Sequence, residues 1–451
     1  MAEKYDVVIV GAGPSGTLAA KHAAQGGCKV VMLERAAIPG QKNMSGSYFF
    51  KTWMEECWPG FVDQDFLDGH IKLGGVQFAW TPDNDYKFYG MIVQPGAETM
   101  YEMQTVFRNE TDPWVAEQAV KAGAELVCAT VSDAIWDGDR VVGVKTDKGD
   151  FMAPIVMDCS GLHAILGKRT GLTNWGPDKV MLGLKYIFKG DPDELRRLMN
   201  TYFDDEGNEV DYGAFPIFAG NRPEFWGAHC VCEPGRDGTI NLIIYQCLAE
   251  MIANKTNIHQ RAQWMLNMPP YKNILDASDF VYCNFHCLAS GDLVGYTKKS
   301  YMKGLMIMGD AGGFAQPLDN FGANCAQAQG IIAGKLAAEM TKAKDFSEEK
   351  FAEFEERWKE TWLPEDNVPE VNRVMREGSI DVVIDCMDEA MNLFFQKKFE
   401  NYSYPAIIGS MLPKFLPVMG EVPVIAGAMT GILRTGVKKA TDMMALLASD
   451  D

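Results

Sequence analysis

The chain is short of positive charge. Its 42 lysines and arginines face 61 aspartates and glutamates, a net of −19. Nucleic-acid binders carry basic faces, so this balance argues against that partner, and it also works against general adhesion to anionic lipid. Histidine is scarce, with six residues and no two at ligand spacing. The eleven cysteines form no disulfide framework. Cys230/Cys232 and Cys283/Cys287 belong to no four-ligand set, so no metal site is expected, and free thiols packed as small hydrophobes are the reading. No signal-peptide pattern precedes the first apolar run, which with the cysteine usage gives a cytoplasmic expectation. No repeat or low-complexity tract is visible. The apolar stretch 405–433 is cut by Pro413, Lys414, Pro417, Glu421 and Pro423, so its uncharged runs fall short of the roughly 20 residues that span a bilayer.

The N-terminus carries the strongest signal. Tyr5-Asp-Val-Val-Ile-Val runs into Gly11-Ala-Gly13-Pro14-Ser15-Gly16, followed by an alanine-rich segment 17–25 and a second apolar run ending Glu34-Arg35. This is the order of a dinucleotide pocket. A buried parallel strand meets a tight turn at Gly11, Gly13 admits a pyrophosphate, Gly16 lets the helix sit on the strand, and Glu34 accepts from a ribose.

Further along, residues 125–132 and 141–146 read as strands, with Asp137-Gly138-Asp139 as their turn, and a helix is expected over 114–122. The apolar run 153–157 stops at Asp158-Cys159-Ser160-Gly161, and 304–308 stops at Gly309-Asp310-Ala-Gly-Gly313. A small-residue helix is expected over about 323–340. Asp345 with Glu348 reads as the cap of another helix, with Phe351, Phe354, Trp358 and Trp362 on one face. Segments 74–93 and 181–246 alternate apolar and polar residues, the mark of a mostly antiparallel sheet.

The fold class is therefore α/β, α+β overall. A discontinuous Rossmann-like FAD-binding domain is expected over residues 1–73, 101–172 and 281–344. An antiparallel-sheet substrate domain takes 74–100 and 173–280, and a C-terminal helical region takes 345–451. Three loops then end three apolar strands of one parallel sheet, where open sheets bind ligands. A Gly-Asp pair in the third loop directs a carboxylate at a ribityl chain, which favours FAD over NAD as the cofactor.

These motifs resemble the flavoprotein superfamily that includes para-hydroxybenzoate hydroxylase. More narrowly, Gly40-Gln-Lys42-Asn43-Met44-Ser45-Gly46 and Met181-Leu-Gly-Leu-Lys-Tyr186 resemble loops and strands of FixC-type electron-transfer-flavoprotein:quinone oxidoreductases. Pro317-Leu-Asp-Asn-Phe-Gly322 and Tyr212-Gly-Ala-Phe-Pro216 are similar to the sister geranylgeranyl reductases. The resemblance implies that Glu34 and Arg35 bind the adenosine ribose, that Val131 passes the adenine, and that Arg108 lies near the phosphates. It implies that Cys159 and Gly161 line the second loop and that Asp310 holds the ribityl or pyrophosphate region. It also implies that Gly322, Ala323 and Asn324 place a helix N-terminus at the flavin's pyrimidine edge, where its partial positive charge favours added negative charge. Lys42, Asn43, Met44, Ser45 and Gly46 would lie over the flavin ring, with Lys42, Asn43 and Ser45 the nearest candidates for catalysis.

Departures are also legible. Ser47 stands where the FixC loop has a second glycine, and no four-cysteine cluster closes the chain. A separate ferredoxin-like subunit would then be needed. The implied function is an FAD-dependent oxidoreductase passing electrons between a protein carrier, an electron-transfer flavoprotein or ferredoxin, and a lipophilic acceptor such as a quinone. Three alternatives stand beside it: a geranylgeranyl-reductase-type ene-reductase, an FAD-holding subunit of a larger electron-transfer complex, and an NAD(P)H-dependent monooxygenase. In the tail, Lys397, Lys398, Lys414, Arg434, Lys438 and Lys439 oppose Glu400 and Glu421 within residues 391–440. Peripheral seating on the inner membrane face and a helical hairpin packed on the body both explain that pattern.

Overall fold

Four residues, Val-Val-Ile-Val, make the central strand β1 (Val7–Val10), and every one is buried. Val7 and Ile9 enter one hydrophobic cluster and Val8 and Val10 another. Alternate residues of a strand point to opposite faces, so both faces of this sheet are covered and a continuous apolar run is what such a strand requires. Each fully buried valine or isoleucine contributes about 1.5–3 kcal/mol. The computed structural model describes residues 3–41, 46–67, 72–73, 77–81, 87–89, 103–198, 202–203, 209–210, 216–220, 228–234, 237–267, 269–289, 299–314, 322–361, 442 and 445–446.

Helix α1 (Pro14–Gln25) and strand β2 (Val30–Glu34) follow β1. Helix α2 (Arg108–Lys121), strand β3 (Glu125–Cys128), strand β4 (Ile155–Asp158) and strand β5 (Leu305–Ile307) complete the layer later in the chain. The spatial order is β5-β4-β1-β2-β3, all parallel, with a two-residue antiparallel strand Tyr301–Met302 outside β5. Strands far apart in the chain thus become neighbours, β4 beside β1 and β5 beside β4: Asp158 pairs with Val10 and with Ile307. The carboxyl ends of β1, β4 and β5 lie in adjacent rows.

One face is covered by α1 and by helix α3 (Gly322–Ala343), and helix α4 (Glu348–Lys359) adds Phe351, Phe354 and Trp358 to the same cluster. Contact between α1 and α3 is backbone-close. A Cβ added to Gly330 would stand 2.3 Å from the Ser15 carbonyl oxygen, and one added to Gly334 would stand 2.6 Å from that of Ala19. The other face is covered by an antiparallel meander, Val131–Asp137, Arg140–Thr146 and Gly149–Met152, joined by Glu3–Lys4.

A seven-stranded sheet lies apart from this layer. Its order is Ser278–Ala289, Val180–Gly190, Thr239–Cys247, Ala228–Pro234, Pro216–Gly220, Gln77–Thr81, Lys87–Tyr89. All neighbours are antiparallel except Pro216–Gly220 with Gln77–Thr81. Helices Ile258–Leu266 and Pro269–Asp276 pack Ile258, Ala262, Tyr271 and Ile274 on one of its faces.

Several elements differ from the reading of the sequence. Helix α1 starts at Pro14 rather than at residue 17, because Gly13 is the N-cap and proline tolerates the first helical position. The expected strand 125–132 is two strands in two sheets. Ala129 N–H still donates to the Glu34 carbonyl at 2.9 Å, and then Thr130 N–H turns to the Asp147 carboxylate at 2.7 Å. Helix α2 begins six residues before 114, at Arg108, and carries Pro113 inside it. The proline removes one helical hydrogen bond, while the Arg108 guanidinium bridges to Asp112 one turn on, through contacts of 2.5 and 2.8 Å. Helix α3 spans Gly322–Ala343 rather than 323–340. The N-cap of α4 is Ser347, and Asp345 instead accepts from the Ser347 N–H at 3.0 Å. Residues 362–441, including Trp362 and nearly all of the tail, lie outside the described residues.

Candidate functional site

The turn after β1 is shaped by two close approaches. Gly11 sits at φ +106, and a Cβ there would lie 2.5 Å from the Cys159 carbonyl oxygen; a Cβ on Gly16 would lie 2.0 Å from the Gly11 carbonyl oxygen. Gly11 N–H donates to Leu33 and Cys159 N–H donates to Val10, both at 2.9 Å. The first and second loops are therefore stitched to one another through backbone.

Gly13 is different. An added Cβ would meet nothing within 4 Å, so the space above the first turn of α1 is open. No side chain caps this helix start and its first turn holds no acidic residue. Free N–H groups and the positive end of a twelve-residue helix face that space. An anionic group of pyrophosphate size fits there. Pro14 occupies a helix position where its missing N–H costs nothing, and the Ser15 hydroxyl lies against the Cys159 thiol, whose pKa burial pushes up to about 12. Cys159 is an inert, buried thiol.

Glu34 is 6 % exposed. Its carboxylate accepts from Ala12 N–H at 3.1 Å and Ala36 N–H at 3.0 Å, which fixes the glycine turn to the end of β2. The sequence-predicted Val131 opens the meander two residues after Ala129, the residue that bonds to Glu34, so these two positions come together. Arg35 is exposed, beside them on the surface.

The third loop follows β5. Gly309 has φ +60, and a Cβ on it would lie 3.2 Å from Ala326 and 3.4 Å from the Ser15 hydroxyl. Its N–H donates to the Gln329 side-chain oxygen at 2.8 Å, an α3 contact that sequence reasoning missed. A glutamine buried in an otherwise small and apolar helix was the available signal. Asp310 accepts no side-chain hydrogen bond among the described residues. Burial raises its pKa to about 6, against the lowering effect of the Arg108 guanidinium. Arg108 is itself held by Asp112, which is 4 % exposed. Asp112 was not singled out in the sequence, yet it orients the arginine that faces Asp310.

The second loop behaves unlike the third. Asp158 is fully buried; its carboxylate accepts from Ser160 N–H (3.1 Å) and Oγ (2.5 Å) and from the N–H groups of Leu166 (2.9 Å) and Gly167 (2.8 Å). It caps the helix Ile165–Thr170. Burial raises its pKa while these four bonds lower it. Gly161, at φ +63, begins a turn that touches the 309–312 turn.

Two further predicted groups flank this centre. Gly46 pairs with Phe107, so the end of the 40–46 loop is brought next to Arg108. Gly40, at φ +78, would place a Cβ 2.4 Å from the Arg108 carbonyl oxygen, which anchors the loop's start on the same helix turn. Lys42, Asn43, Met44 and Ser45 lie outside the described residues. Gly322, Ala323 and Asn324 form the first turn of α3; Asn324 is 1 % exposed and its side-chain nitrogen has no hydrogen-bond partner. A buried, unmatched donor at a helix N-terminus fits an acceptor atom of a bound group. Among the described residues, no three His, Cys, Asp or Glu side chains are placed to share a metal ion.

Comparison with known proteins gives this geometry a context. Residues 6–176 match the family of FAD dependent oxidoreductases. Protein FixC of Azotobacter vinelandii is 27 % identical over 371 residues, covering 81 % of this chain and 83 % of that protein. The Escherichia coli (strain K12) protein named "Probable electron transfer flavoprotein-quinone oxidoreductase YdiS" is 24 % identical over 97 % of this chain and 99 % of its own length. In fold, the chain is similar to a geranylgeranyl bacteriochlorophyll reductase-like protein of Thermoplasma acidophilum, with a TM-score of 0.68, 19 % identity, and coverage of 92 % of this chain and all of that one. The open glycine turn, the linked second loop and the Asp310 loop lie together at the carboxyl ends of β1, β4 and β5. The chain is an FAD-dependent oxidoreductase related to the FixC and electron transfer flavoprotein-quinone oxidoreductase proteins.

Proposed function

We propose that the protein passes electrons through its FAD between a protein carrier, an electron-transfer flavoprotein or a ferredoxin, and a lipophilic acceptor of the quinone class. The observation that carries this reading is the match of nearly the whole chain to a protein named for that reaction. The cofactor, once bound, supplies the redox chemistry, and the protein supplies binding, orientation and electrostatics.

The geometry supports the following residue roles in this reading. Gly11, Gly13, Pro14, Ser15 and Gly16 would hold the pyrophosphate at the N-terminus of α1, and Glu34 would accept from the adenosine ribose beside Arg35 and the Val131 backbone. Arg108, braced by Asp112, would neutralise phosphate charge. Asp310 would accept from the ribityl hydroxyls, which supply the hydrogen bonds its carboxylate lacks. Asn324, with Gly322 and Ala323, would donate at the flavin's polar edge. Lys42, Asn43, Met44, Ser45 and Gly46 would cover the ring. No helix among the described residues is long and apolar enough to cross a membrane, so access to a lipid-borne acceptor would be from the surface of the bilayer, through the C-terminal region.

Anaerobic reduction of the bound flavin tests the reading. Reduced electron-transfer flavoprotein or ferredoxin is expected to bleach the flavin faster than NADPH, and a soluble quinone is expected to restore the oxidised spectrum. Fast reduction by NADPH would overturn the carrier assignment. Reoxidation by a prenyl double bond but not by quinone would replace the acceptor.

A further inference from the structure

The outer strand of the seven-stranded sheet, Ser278–Ala289, is twelve residues long, and among the described residues it pairs with Val180–Gly190 on one side and with nothing on the other. Such an edge presents a row of N–H and C=O groups to any strand laid beside it, and proteins ordinarily blunt it with proline, with lysine or by keeping it short. This strand is long, contains no proline, lysine or arginine, and has one carboxylate, Asp279, near its start.

What the edge exposes is apolar. Phe280, Val281 and Phe285 are 55 %, 52 % and 51 % exposed, and Cys283 is exposed between them. Phe280 pairs with Phe188, Cys283 with Tyr186 and Phe285 with Leu184. Residues paired across strands share a face, and alternate residues of a strand share it too, so these three form one row on the face that carries the helices Ile258–Leu266 and Pro269–Asp276. Val281 is the extra residue of a bulge that keeps Phe280 in that row. The rings are seated from their own subunit: Phe280 packs edge-on against Phe188 at 5.8 Å and Tyr186 at 6.2 Å, and Phe285 against His259 at 5.4 Å, between centroids. About half of each ring is left bare.

The occupant that fits this edge is a second copy of the chain. The row reads Phe, Cys, Phe in either direction, so an antiparallel copy sets Phe280 against Phe285 at both ends and Cys283 against Cys283 in the middle, as a two-fold interface requires. Charge agrees. A net of −19 repels a second copy from most directions, but here the two Asp279 side chains fall at opposite ends of the ladder, about 25 Å apart at the usual rise of a strand. An edge of this length with its rings covered buries on the order of 600 Å² a side, the lower end of specific interfaces.

We propose that the edge strand is a homodimer interface, in which two copies pair Ser278–Ala289 antiparallel about a two-fold axis at Cys283 and join their sheets into one. The main chains supply the hydrogen bonds, and the Phe280 to Phe285 contacts supply the apolar burial. The interface does not depend on which electron carrier or acceptor the flavin serves.

Sedimentation of the FAD-loaded protein tests this, with twice the chain mass expected at micromolar concentration. Phe280→Lys and Phe285→Lys each place a charge in the row; either should weaken the dimer roughly tenfold or more, and the pair together roughly a hundredfold, with flavin content unchanged. Trp136→Lys, at an exposed aromatic of the meander, should leave the mass as it is. Under a mild oxidant the dimer should become covalent through Cys283, because opposed residues of an antiparallel ladder stand about 4.5–5.5 Å apart between Cα atoms, within disulfide reach. Cys283→Ser should abolish that link, and Cys128→Ser, at another exposed thiol, should not. If a lysine variant sheds its flavin, the Cys283 link decides the matter. A monomer at micromolar concentration, a dimer indifferent to both lysines, a link that needs Cys128, or a mass that climbs without limit overturns the assignment. So does a monomer in which Phe285→Lys slows flavin reduction by the carrier, since the edge would then belong to that partner.

Discussion

Asp158 and Asp310 stand at the carboxyl ends of two neighbouring buried strands of the parallel sheet, Asp158 as the last residue of its strand and Asp310 just beyond the end of the other. Their surroundings are opposite. Asp158 has four hydrogen-bond donors of its own chain and caps a helix. Asp310 has none among the described residues and feels the charge of the Arg108 guanidinium. The lesson is that a carboxylate after a core strand is a ligand candidate only if its own chain leaves its lone pairs unmet. Asp158 builds the loop and Asp310 waits in it.

Substitutions should separate the two. Asp158→Ala would strand buried N–H donors of Leu166 and Gly167, and a destabilisation of about 3 kcal/mol is expected, read as a lowered midpoint in urea. Next in size is Gly330→Ala, which pushes a methyl against the Ser15 carbonyl oxygen, backbone on both sides. Overpacking of this kind should cost about 2 kcal/mol and disturb the α1 N-terminus. By contrast, Gly13→Ala meets open space and should leave folding of the apoprotein within about 0.5 kcal/mol while lowering FAD affinity roughly tenfold. Equal effects of Gly13→Ala and Gly330→Ala on apoprotein stability would break the distinction between a structural and a ligand-facing glycine.

A pH dependence is also expected in the apoprotein. Burial raises the folded Asp310 pKa from 3.8 to about 6, so between those values the native state holds a proton that the unfolded state releases. Stability relative to Asp310→Asn should then fall as pH rises from 3.8 through about 6 and be level above it. A difference that grows over this window, measured by thermal unfolding at successive pH values, contradicts the assignment.

Much of the parallel layer was legible. Apolar runs that stop at glycine-bearing loops read correctly as buried strands because both faces of that sheet are covered, which removes the need for alternation. The glycine turn was legible because its steric demands fall on glycine at Gly11 and Gly16. What stayed hidden depended on backbone partners. Nothing in the sequence distinguishes Asp158 from Asp310, because the donors that occupy Asp158 are, apart from Ser160, main-chain N–H groups eight and nine residues on. The start of α2 was missed because Pro113 and the charged run before it look like a loop, and the Arg108 to Asp112 bridge that supports that turn exists only once the helix has formed. Buried Gln327 and Gln329 could have been found, since amides in a small-residue helix need partners. Gln327 accepts from the Trp53 indole at 2.8 Å and Gln329 from the Gly309 N–H.

The most direct test of the account is a titration of FAD into apoprotein, followed by flavin fluorescence, for the unsubstituted chain, Asp310→Asn and Asp158→Asn. The account predicts one FAD per chain, an affinity lowered roughly tenfold by Asp310→Asn, and an Asp158→Asn variant whose loss is in stability, with near-normal affinity wherever it remains folded. Absence of FAD binding by the folded chain, or loss of affinity in folded Asp158→Asn with none in Asp310→Asn, would contradict it.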